Sequence, residues 1–526
     1  MCSFMVCTDT QISTKKFEES FKKISYRGPD MSRIEIDNEL WGFHRLAIMD
    51  LSSKGMQPFD GDGYKVVCNG EIFNFRKIRH KLINKGYMFM SNSDCEILGP
   101  MYEVYKERMF KMLDAEFACV ILDKKENTFI AARDPMGIRP MFYGYTDSDK
   151  IVFASEAKAL IDICKKVYPF PPGCYYKDGK FIKYYDISKY SKFIDDEEEI
   201  ICKNINKLLR KAVLKRVETD APIGYLLSGG LDSSLVCSIA SKSSDKKIKT
   251  FAIGMDKDAI DLKYARIVAD YINSDHTEVI FTKEDIFRVL RSVIYHLETW
   301  DITTIRASIG MFLLTEWIHE NTDIKVLLTG EVSDELFGYK YTDYAPNSSE
   351  FQKESEKRIK ELYMYDVLRA DRCISGCSLE ARVPFADKDF VNYVMGINPE
   401  KKMNTHGIGK YLLRKAFEKD YLPDSILYRE KAAFSDAVGH SMVDYLKEYA
   451  EELYSDQEYL EKISKYTVGV KPFTKESLMY REIFDEFYKG HDDLIKDYWM
   501  PNKNWKGCNV DDPSARVLSN YGNSGK

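Results

Sequence analysis

The chain has 526 residues, of which 44% are hydrophobic and 30% are charged, and its formal net charge is −6. At roughly 100–200 residues per domain this length exceeds one compact core, and the composition is that of a folded globular protein, which excludes a wholly disordered chain. The negative charge gives no electrostatic reason to expect nucleic acid or an anionic membrane as a partner.

No apolar run approaches the ~18 residues of a membrane-spanning helix. The first residues, MCSFMVCTDT, become polar too early for the core of a signal peptide. We therefore expect a cytoplasmic protein that acts on small molecules, without nucleic-acid or membrane partners. The sequence leaves the oligomeric state open, and a homodimer is one assembly it allows.

Short strand-like runs separated by turn signals dominate the first part of the chain, a pattern typical of stacked antiparallel sheets. The clearest runs are 41–50, 64–73, 116–123, 128–134, 139–145 and 150–156, and one helical piece near 76–85 interrupts them. We predict a first domain over 1–190 and an acidic linker over 191–200.

The hydrophobic period changes to that of helices after the linker. One helical face carries Ile201, Ile205, Leu209 and Val213, and another extends over 286–297. Strand-like segments lie at 223–227, 250–255 and 326–330. Strands that alternate with helices predict a doubly wound parallel α/β sheet over 201–501. The remaining 502–526, rich in Asn, Gly, Ser and Asp, should form a loosely ordered tail.

The stretch YLLSGGLDSS at 225–234 predicts a strand, a tight glycine loop and the start of a helix. Gly229 and Gly230 let the backbone approach a ligand, and the free N–H groups of a helix start favour phosphate. Hydroxyl donors follow from Ser228, Ser233 and Ser234. Because no lysine of the G-x-x-x-x-G-K-[ST] type follows the glycines, this loop differs from a P-loop.

The carboxylate of Asp232 would repel phosphates unless a divalent cation lies between them, which implies Mg²⁺. VLLTGEVSDELFGY at 326–339 ends a second strand with an acidic cluster, where Asp334 could share the metal and Glu331 could carry protons. Two glycines with serines also occur in ordinary turns, so the prediction of phosphate binding rests on the whole stretch SGGLDSS and not on the glycines by themselves.

WDITTIRAS at 300–308 offers the hydroxyls of Thr303 and Thr304 and the guanidinium of Arg306, which suits a substrate carboxylate. Each of these residues by itself is better explained as a helix cap or an ion pair. Their combination with the glycine loop favours a binding role.

A cysteine follows the initiator methionine. If Met1 is removed, Cys2 carries both a thiol and an α-amine whose pKa of about 7.7–8 lets it act as the base for its own nucleophile. The twelve cysteines include no C-x-x-C pair and no zinc-like cluster, so we expect most of the others to be reduced core residues.

Several motifs together resemble known families. SGGLDSS resembles the pyrophosphate loop of adenylating ATP pyrophosphatases. YRGPD, HRLAIMD, CNGEIFN, SDCE, RDPMGIRPMFYG and FASEAKAL resemble, in order and spacing, the amidase domain of class II glutamine amidotransferases, an N-terminal nucleophile fold. With VIYHLETWDITTIRAS, CSLEARVPFAD, KYLLRKAFEKDYLP, REKAAFSDAVG and DDPSAR, nearly the whole chain resembles the glutamine-hydrolysing asparagine synthetases.

The resemblance implies a glutaminase site in the first domain. Cys2 would be the nucleophile, and the side chain of Asn69 with the Gly70 N–H would form the oxyanion hole. The implied glutamine ligands are Arg45, Ile48, Met49, Asn69, Gly70, Glu71 and Asp94.

The resemblance also implies that the second domain activates aspartate with ATP as co-substrate, giving AMP and diphosphate through β-aspartyl-AMP, and receives ammonia through an internal channel. The implied ATP ligands are Leu226, Ser228, Gly229, Gly230, Asp232, Ser233, Ser234, Ile253, Thr329, Gly330 and Lys431. Asp232 and Asp334 would hold the metal, Glu331 would be catalytic, and Thr303, Thr304 and Arg306 would bind aspartate.

This chain departs from the family string S-G-E-G-x-D-E, which appears as T-G-E-V-S-D-E. Val332 replaces a glycine, and a β-branched residue does not readily adopt positive φ. We therefore expect either an ordinary backbone at Val332 or a shifted loop. Two alternatives stay open: an enzyme that closes an amide ring by the same adenylation, as β-lactam synthetases do, and a non-catalytic scaffold. The acidic residues and Cys2 count against both.

Overall fold

The computed structural model describes residues 1–255, 259–430 and 440–521, and it divides into two compact units. The first unit comprises Met1–Ile187, Thr219–Pro222 and Ser375–Glu380, and the second comprises the rest of the chain. The boundaries expected from the sequence at 190, 200 and 501 stay predictions.

Two six-stranded antiparallel sheets build the first unit, in the orders β10-β8-β9-β1-β3-β2 and β12-β11-β7-β6-β5-β4. The strands are β1 Ser3–Cys7, β2 Met31–Ile36, β3 Leu40–Arg45, β4 Phe59–Asp60, β5 Tyr64–Ile72, β6 Ala115–Asp123, β7 Thr128–Arg133, β8 Phe142–Tyr145, β9 Ile151–Ala154, β10 Val167–Pro169, β11 Cys174–Lys177 and β12 Lys180–Lys183. The expected stacked antiparallel sheets are therefore confirmed.

One buried apolar cluster contains side chains from both sheets, among them Phe4, Trp41, Val67, Val120 and Phe153. Alternate residues of β1, β3, β6, β9 and β11 enter it, as the period of 2 requires. The helices of this unit are α1 Thr14–Lys22, α2 Phe75–Ile83, α3 Leu98–Tyr105 and α4 Met109–Met112. The sequence predicted only the second of these.

A five-stranded sheet of order β15-β14-β13-β16-β17 forms the centre of the second unit. Its strands are β13 Ile223–Leu226, β14 Lys249–Gly254, β15 Asp275–Ile280, β16 Val326–Leu328 and β17 Glu380–Arg382. The pairs β13–β14, β13–β16 and β14–β15 are parallel, which confirms the predicted α/β class. The sequence missed β15, a polar edge strand, and β17, which has only three residues.

The helices that surround this sheet begin with α5, the helix predicted from the spacing at 201–213. They are α5 Glu198–Arg216, α6 Leu231–Lys242, α7 Ile260–Tyr271, α8 Lys283–Leu297, α9 Ile302–Asn321, α10 Ser333–Phe337, α11 Ser348–Glu361, α12 Asp366–Gly376, α13 Lys388–Gly396, α14 Pro399–Lys402, α15 Tyr411–Ala416, α16 Asp424–Leu427, α17 His440–Leu453, α18 Asp456–Ile463 and α19 Lys475–Tyr488. No helix in the described part of the chain is long and apolar enough to cross a membrane.

The segment after residue 501 is better packed than its composition predicts. Trp505, Cys508 and Leu518 are buried in one apolar cluster with Tyr341 and Phe351. The expectation of a loosely ordered tail is therefore wrong for 502–521, because three apolar side chains scattered among polar ones are enough to fix the segment to the second unit.

Candidate active site

The first candidate site lies where β1, β3 and β5 carry the predicted glutaminase residues. Ser3 pairs with His44 in the antiparallel register, so the next pair outward is Cys2 with Arg45. Cys2 also packs against the apolar cluster to which β5 contributes. Asp94 is fixed to the end of β5, since its Oδ2 accepts a hydrogen bond of 2.7 Å from the Ile72 N–H.

Cys2 is half-buried, and its Sγ lies 3.6 Å from the Leu46 carbonyl oxygen. Burial raises the pKa of the Cys2 thiol to about 11. The Met1 amino group donates to the Leu379 carbonyl at 3.2 Å, and burial lowers its pKa to about 5. With Met1 in place, the Cys2 thiol is therefore protonated at neutral pH. The α-amino group of the chain then belongs to Met1, so Cys2 has no α-amine of its own to take the thiol proton.

The Asn69 side chain is fully buried, and neither its Nδ2 nor its Oδ1 has a hydrogen-bond partner in the described chain. Leaving a buried amide unpaired costs about 1–3 kcal/mol, so such a group calls for an explanation. The next residue, Gly70, has no room for a side chain, because a Cβ there would lie 2.6 Å from the Glu116 carbonyl oxygen. The geometry thus leaves Asn69 available for a ligand.

Arg45 is buried, and its two terminal nitrogens donate to the carbonyl oxygens of Met49, Asp50 and Ser52. It therefore shapes the turn after β3 in this structure, and its contact with glutamine stays a prediction. Ile48, Met49 and Glu71 are also buried in the same unit.

Replacing Asn69 with alanine should lower glutaminase turnover by about 10²–10³-fold, the usual effect of losing one oxyanion donor. Because the Asn69 side chain makes no hydrogen bond to any described residue, the variant should fold normally. The measurement is glutamate release from glutamine, with thermal unfolding as the check on folding. Unchanged turnover in a folded variant would remove Asn69 from the oxyanion hole.

The second candidate site is a cavity at the carboxyl ends of β13, β14 and β16. Gly229 has a φ of 69°, and a Cβ there would lie 2.4 Å from the Ala265 nitrogen. Gly230 is the N-cap of α6, so the free N–H groups of that helix face the loop. The hydroxyls of Ser228 and Ser233 lie 3.0 Å apart. The predicted strand, loop and helix are present with the expected order.

The cavity brings together most of the residues that the sequence assigned to ATP, metal and aspartate. Its lining includes Leu226, Ser228, Gly230, Asp232, Ser233, Ile253, Thr303, Thr329, Gly330, Glu331 and Asp334. Four predicted residues are not among the described lining residues, namely Gly229, Ser234, Thr304 and Arg306. Lys431 lies outside the described residues.

Lys410 is a cavity residue that the sequence did not reveal. Its Nζ lies 2.8 Å from both carboxylate oxygens of Asp232 and 2.5 Å from Asp334 Oδ1. Ser333 Oγ donates to Asp232 Oδ1 at 2.7 Å. The two acidic residues therefore converge on one cation. Two carboxylates combined with phosphate oxygens form a typical Mg²⁺ site, so these residues fit the implied metal.

Glu331 is oriented by a guanidinium that the sequence also missed. Arg369 Nη2 lies 2.5 Å from Glu331 Oε2, and Arg369 Nη1 lies 3.0 Å from Asp366 Oδ1. Glu335, another cavity residue, has a pKa raised well above its usual value by burial and by the neighbouring carboxylates of Asp366 and Asp334. The acidic cluster thus combines ion pairs with one carboxyl group, that of Glu335, whose ionisation burial and its acidic neighbours disfavour.

The three residues assigned to aspartate binding have different surroundings. Thr303 lines the cavity, and its buried hydroxyl has no partner among the residues described. The Thr304 hydroxyl donates to Asp301, the N-cap of α9, at 2.7 Å. Arg306 is buried and paired with Glu476 and Asp512. The geometry favours Thr303 as a ligand, and a direct role for the other two stays a prediction.

Val332 has a φ of 80° and a ψ of −16°, in the left-handed region. The expectation of an ordinary backbone is therefore wrong. The residue is buried at the N-cap of α10, and Asp334, two residues later, still reaches the same lysine as Asp232. Tight packing around the loop therefore holds a β-branched residue in a conformation that glycine adopts without strain.

Two substitutions at Val332 should separate the backbone strain from the loss of the side chain. Alanine normally stabilises a protein by about 0.5–1 kcal/mol relative to glycine. At a positive φ we expect the reverse, with Val332→Gly more stable than Val332→Ala by about 1 kcal/mol. Thermal unfolding of the two variants under identical conditions tests this order. Equal stability, or the usual preference for alanine, would contradict the strained backbone.

Comparison with known protein families matches both parts of the chain. Residues 1–175 match the glutamine amidotransferase domain, and residues 204–349 and 343–511 match asparagine synthase. An asparagine synthetase [glutamine-hydrolyzing] 3 of Arabidopsis thaliana is 41% identical over 93% of this chain and 88% of its own length. An asparagine synthetase [glutamine-hydrolyzing] 2 of Oryza sativa is 43% identical over 89% and 82%, respectively.

A probable asparagine synthetase [glutamine-hydrolyzing] of Dictyostelium discoideum is 39% identical over 98% of both chains. The antiparallel amidotransferase unit and the parallel-sheet unit with its glycine loop therefore define a two-domain, glutamine-dependent enzyme class. Within that class, the chain belongs to the glutamine-hydrolysing asparagine synthetase family.

Proposed function

We propose that this chain converts ATP, L-aspartate, L-glutamine and water into AMP, diphosphate, L-asparagine and L-glutamate. Family membership supports the overall reaction. One observation supports the assignment of the chemistry. Asp232 and Asp334 both pair with Lys410 beside the N-terminus of α6, in a cavity lined by the glycine loop. That arrangement suits a departing diphosphate.

Nitrogen release is assigned to Cys2. After removal of Met1, its own α-amine takes the thiol proton, and Sγ attacks the side-chain carbonyl carbon of glutamine. The Asn69 amide and the Gly70 N–H stabilise the negative oxygen of the tetrahedral intermediate. Collapse expels ammonia and leaves a thioester, which water hydrolyses to glutamate. Arg45, Ile48, Met49, Glu71 and Asp94 are the proposed glutamine ligands.

Activation of aspartate is assigned to the cavity of the second unit. The β-carboxylate attacks the α-phosphorus of ATP, the α–β bridging bond breaks, and β-aspartyl-AMP and diphosphate form. Ser228, Gly229, Gly230, Ser233 and Ser234 offer N–H and hydroxyl donors to the diphosphate. Leu226, Ile253, Thr329 and Gly330 hold the nucleotide.

Asp232 and Asp334 are the proposed Mg²⁺ ligands. When bound, the metal would neutralise phosphate charge that the two carboxylates by themselves would repel. Lys410 forms ion pairs with both carboxylates and so offsets part of their negative charge.

Amide formation is assigned to the same cavity. Ammonia attacks the acyl carbon of the adenylate, Glu331 accepts the proton that nitrogen loses, and AMP departs. The ion pair with Arg369 fixes the position of the Glu331 carboxylate for this transfer.

A product assay with Mg²⁺, ATP, aspartate and glutamine tests the proposal. We expect asparagine, AMP and diphosphate in equal amounts, with no asparagine when aspartate is omitted. Formation of ADP and inorganic phosphate would overturn the adenylation chemistry. A ring-closing enzyme or a scaffold would give no asparagine. Ammonia transfer through a channel, the cytoplasmic location, a homodimer and the lack of nucleic-acid or membrane partners stay predictions.

A further inference from the structure

The carboxy-terminal segment contributes to the wall of the second cavity. Pro513, Ser514 and Ala515 are among its lining residues, and no role assigned above uses them. Thr303 of α9, whose buried hydroxyl has no partner in the part of the chain that the structure describes, lines the same cavity. A segment near the chain end therefore helps to enclose the space in which a substrate would bind.

Asp512 fixes this segment to the helices beneath it. Its carboxylate lies 3.0 Å from Arg306 Nη1 and 2.6 Å from Lys447 Nζ. The Arg306 guanidinium holds the pKa of Asp512 well below its usual value. Asp512 Oδ1 also accepts a hydrogen bond of 2.7 Å from the Ser514 N–H. One carboxylate thus fixes both the position and the turn of the lining residues.

Arg306 is itself held from the other side. Its Nε donates to Glu476 Oε1 of α19 at 2.8 Å, and its Nη2 lies 2.5 Å from Glu476 Oε2. With only 3% of its surface exposed, this guanidinium donates hydrogen bonds to two protein carboxylates, those of Glu476 and Asp512. The residue that the sequence assigned to a substrate carboxylate thus forms ion pairs with two protein carboxylates in this structure, and its contact with aspartate stays a prediction.

The segment is also anchored on both sides of Asp512. Trp505 and Cys508 precede it, and Leu518 follows it, in one buried cluster with Tyr341 and Phe351. Tyr341 lines the cavity as well. The chain between these anchors therefore crosses the cavity wall with its ends fixed by apolar packing and its middle fixed by an ion pair.

We propose that residues 512–515 form a strap that encloses the side of the cavity lined by Thr303, where aspartate would bind, and that Arg306 is a positioning residue that acts through Asp512. This inference rests on the proposed function. The strap shields β-aspartyl-AMP from water until ammonia attacks. Loosening it lets water attack the acyl carbon, which releases aspartate and AMP, so diphosphate forms without an equal amount of asparagine.

Asp512→Ala removes the ion pair while leaving Arg306 paired with Glu476. Asp511→Ala, the matched control, removes the same charge from the adjacent exposed position. Loss of a hydrogen bond to a charged group corresponds to about a tenfold or greater change in an equilibrium. We expect Asp512→Ala to raise the KM for aspartate about tenfold and to raise the ratio of diphosphate to asparagine above one. Asp512→Glu should restore part of both.

Two further readouts distinguish the strap from a general loss of folding. Glutamate release at Cys2 should be the same in both variants, and trypsin should cleave after Arg516 faster in Asp512→Ala than in Asp511→Ala. If Asp512→Ala releases the segment to trypsin yet keeps the KM for aspartate and the one-to-one product ratio of Asp511→Ala, the strap is wrong. If the unaltered protein makes no AMP from ATP and aspartate, the proposed function itself fails, and the inference fails with it.

Discussion

Replacing Cys2 with alanine should abolish asparagine formation from glutamine and leave asparagine formation from added ammonium salts. The substitution removes the sulfur to which the thioester is assigned, so glutaminase turnover should fall by ~10³-fold or more. The cavity that contains Asp232 does not use Cys2, so adenylation of aspartate should continue. Asparagine is measured with each nitrogen source at the same ATP and aspartate concentrations.

Cys7→Ala provides the matched control, because Cys7 is a buried cysteine at the far end of β1, the strand that begins directly after Cys2. It should keep glutamine-dependent synthesis. If Cys2→Ala also lost synthesis from ammonium, the assignment of the two reactions to separate sites would be contradicted.

Asp232→Asn should stop the formation of AMP and diphosphate from ATP and aspartate while glutamate release from glutamine continues. Asparagine is the same size as aspartate and can still accept the Ser333 hydroxyl, but it lacks the charge that a divalent cation requires. Loss of several kcal/mol of charge stabilisation corresponds to a fall of ~10³-fold in rate.

The fold should tolerate Asp232→Asn, since Lys410 keeps Asp334 as a partner. Asp245→Asn, at an exposed position after α6, is the control for the charge change and should leave every rate unaltered. Diphosphate release and glutamate release are measured in the same preparation. Persistent diphosphate release in Asp232→Asn would show that this carboxylate is not a metal ligand.

Local patterns predicted the parts of the fold that depend on neighbouring residues. Alternating hydrophobicity located the strands that carry Arg45 and Asn69, and the change to a helical period located α5 and α8. Elements without such a pattern were missed. The edge strand β15 has the sequence DHTEVI, whose polar residues suit a position at the edge of the sheet. Helix α1 is short, and most of its residues are polar or charged. Trp505 and Leu518 fix a tail that composition by itself suggested was loose.

What the sequence by itself determined is the chemistry within each short string: a thiol next to the chain start, an asparagine before a glycine, and a glycine loop with a carboxylate between a strand and a helix. These functions depend on groups a few residues apart. Only the tertiary structure decided which charges meet, because Lys410 is 178 residues from Asp232 and Arg306 is 206 residues from Asp512. Such pairs form where the folded chain returns to the same place and burial makes an unpaired charge costly. The same packing holds Val332 in a backbone conformation that its side chain disfavours.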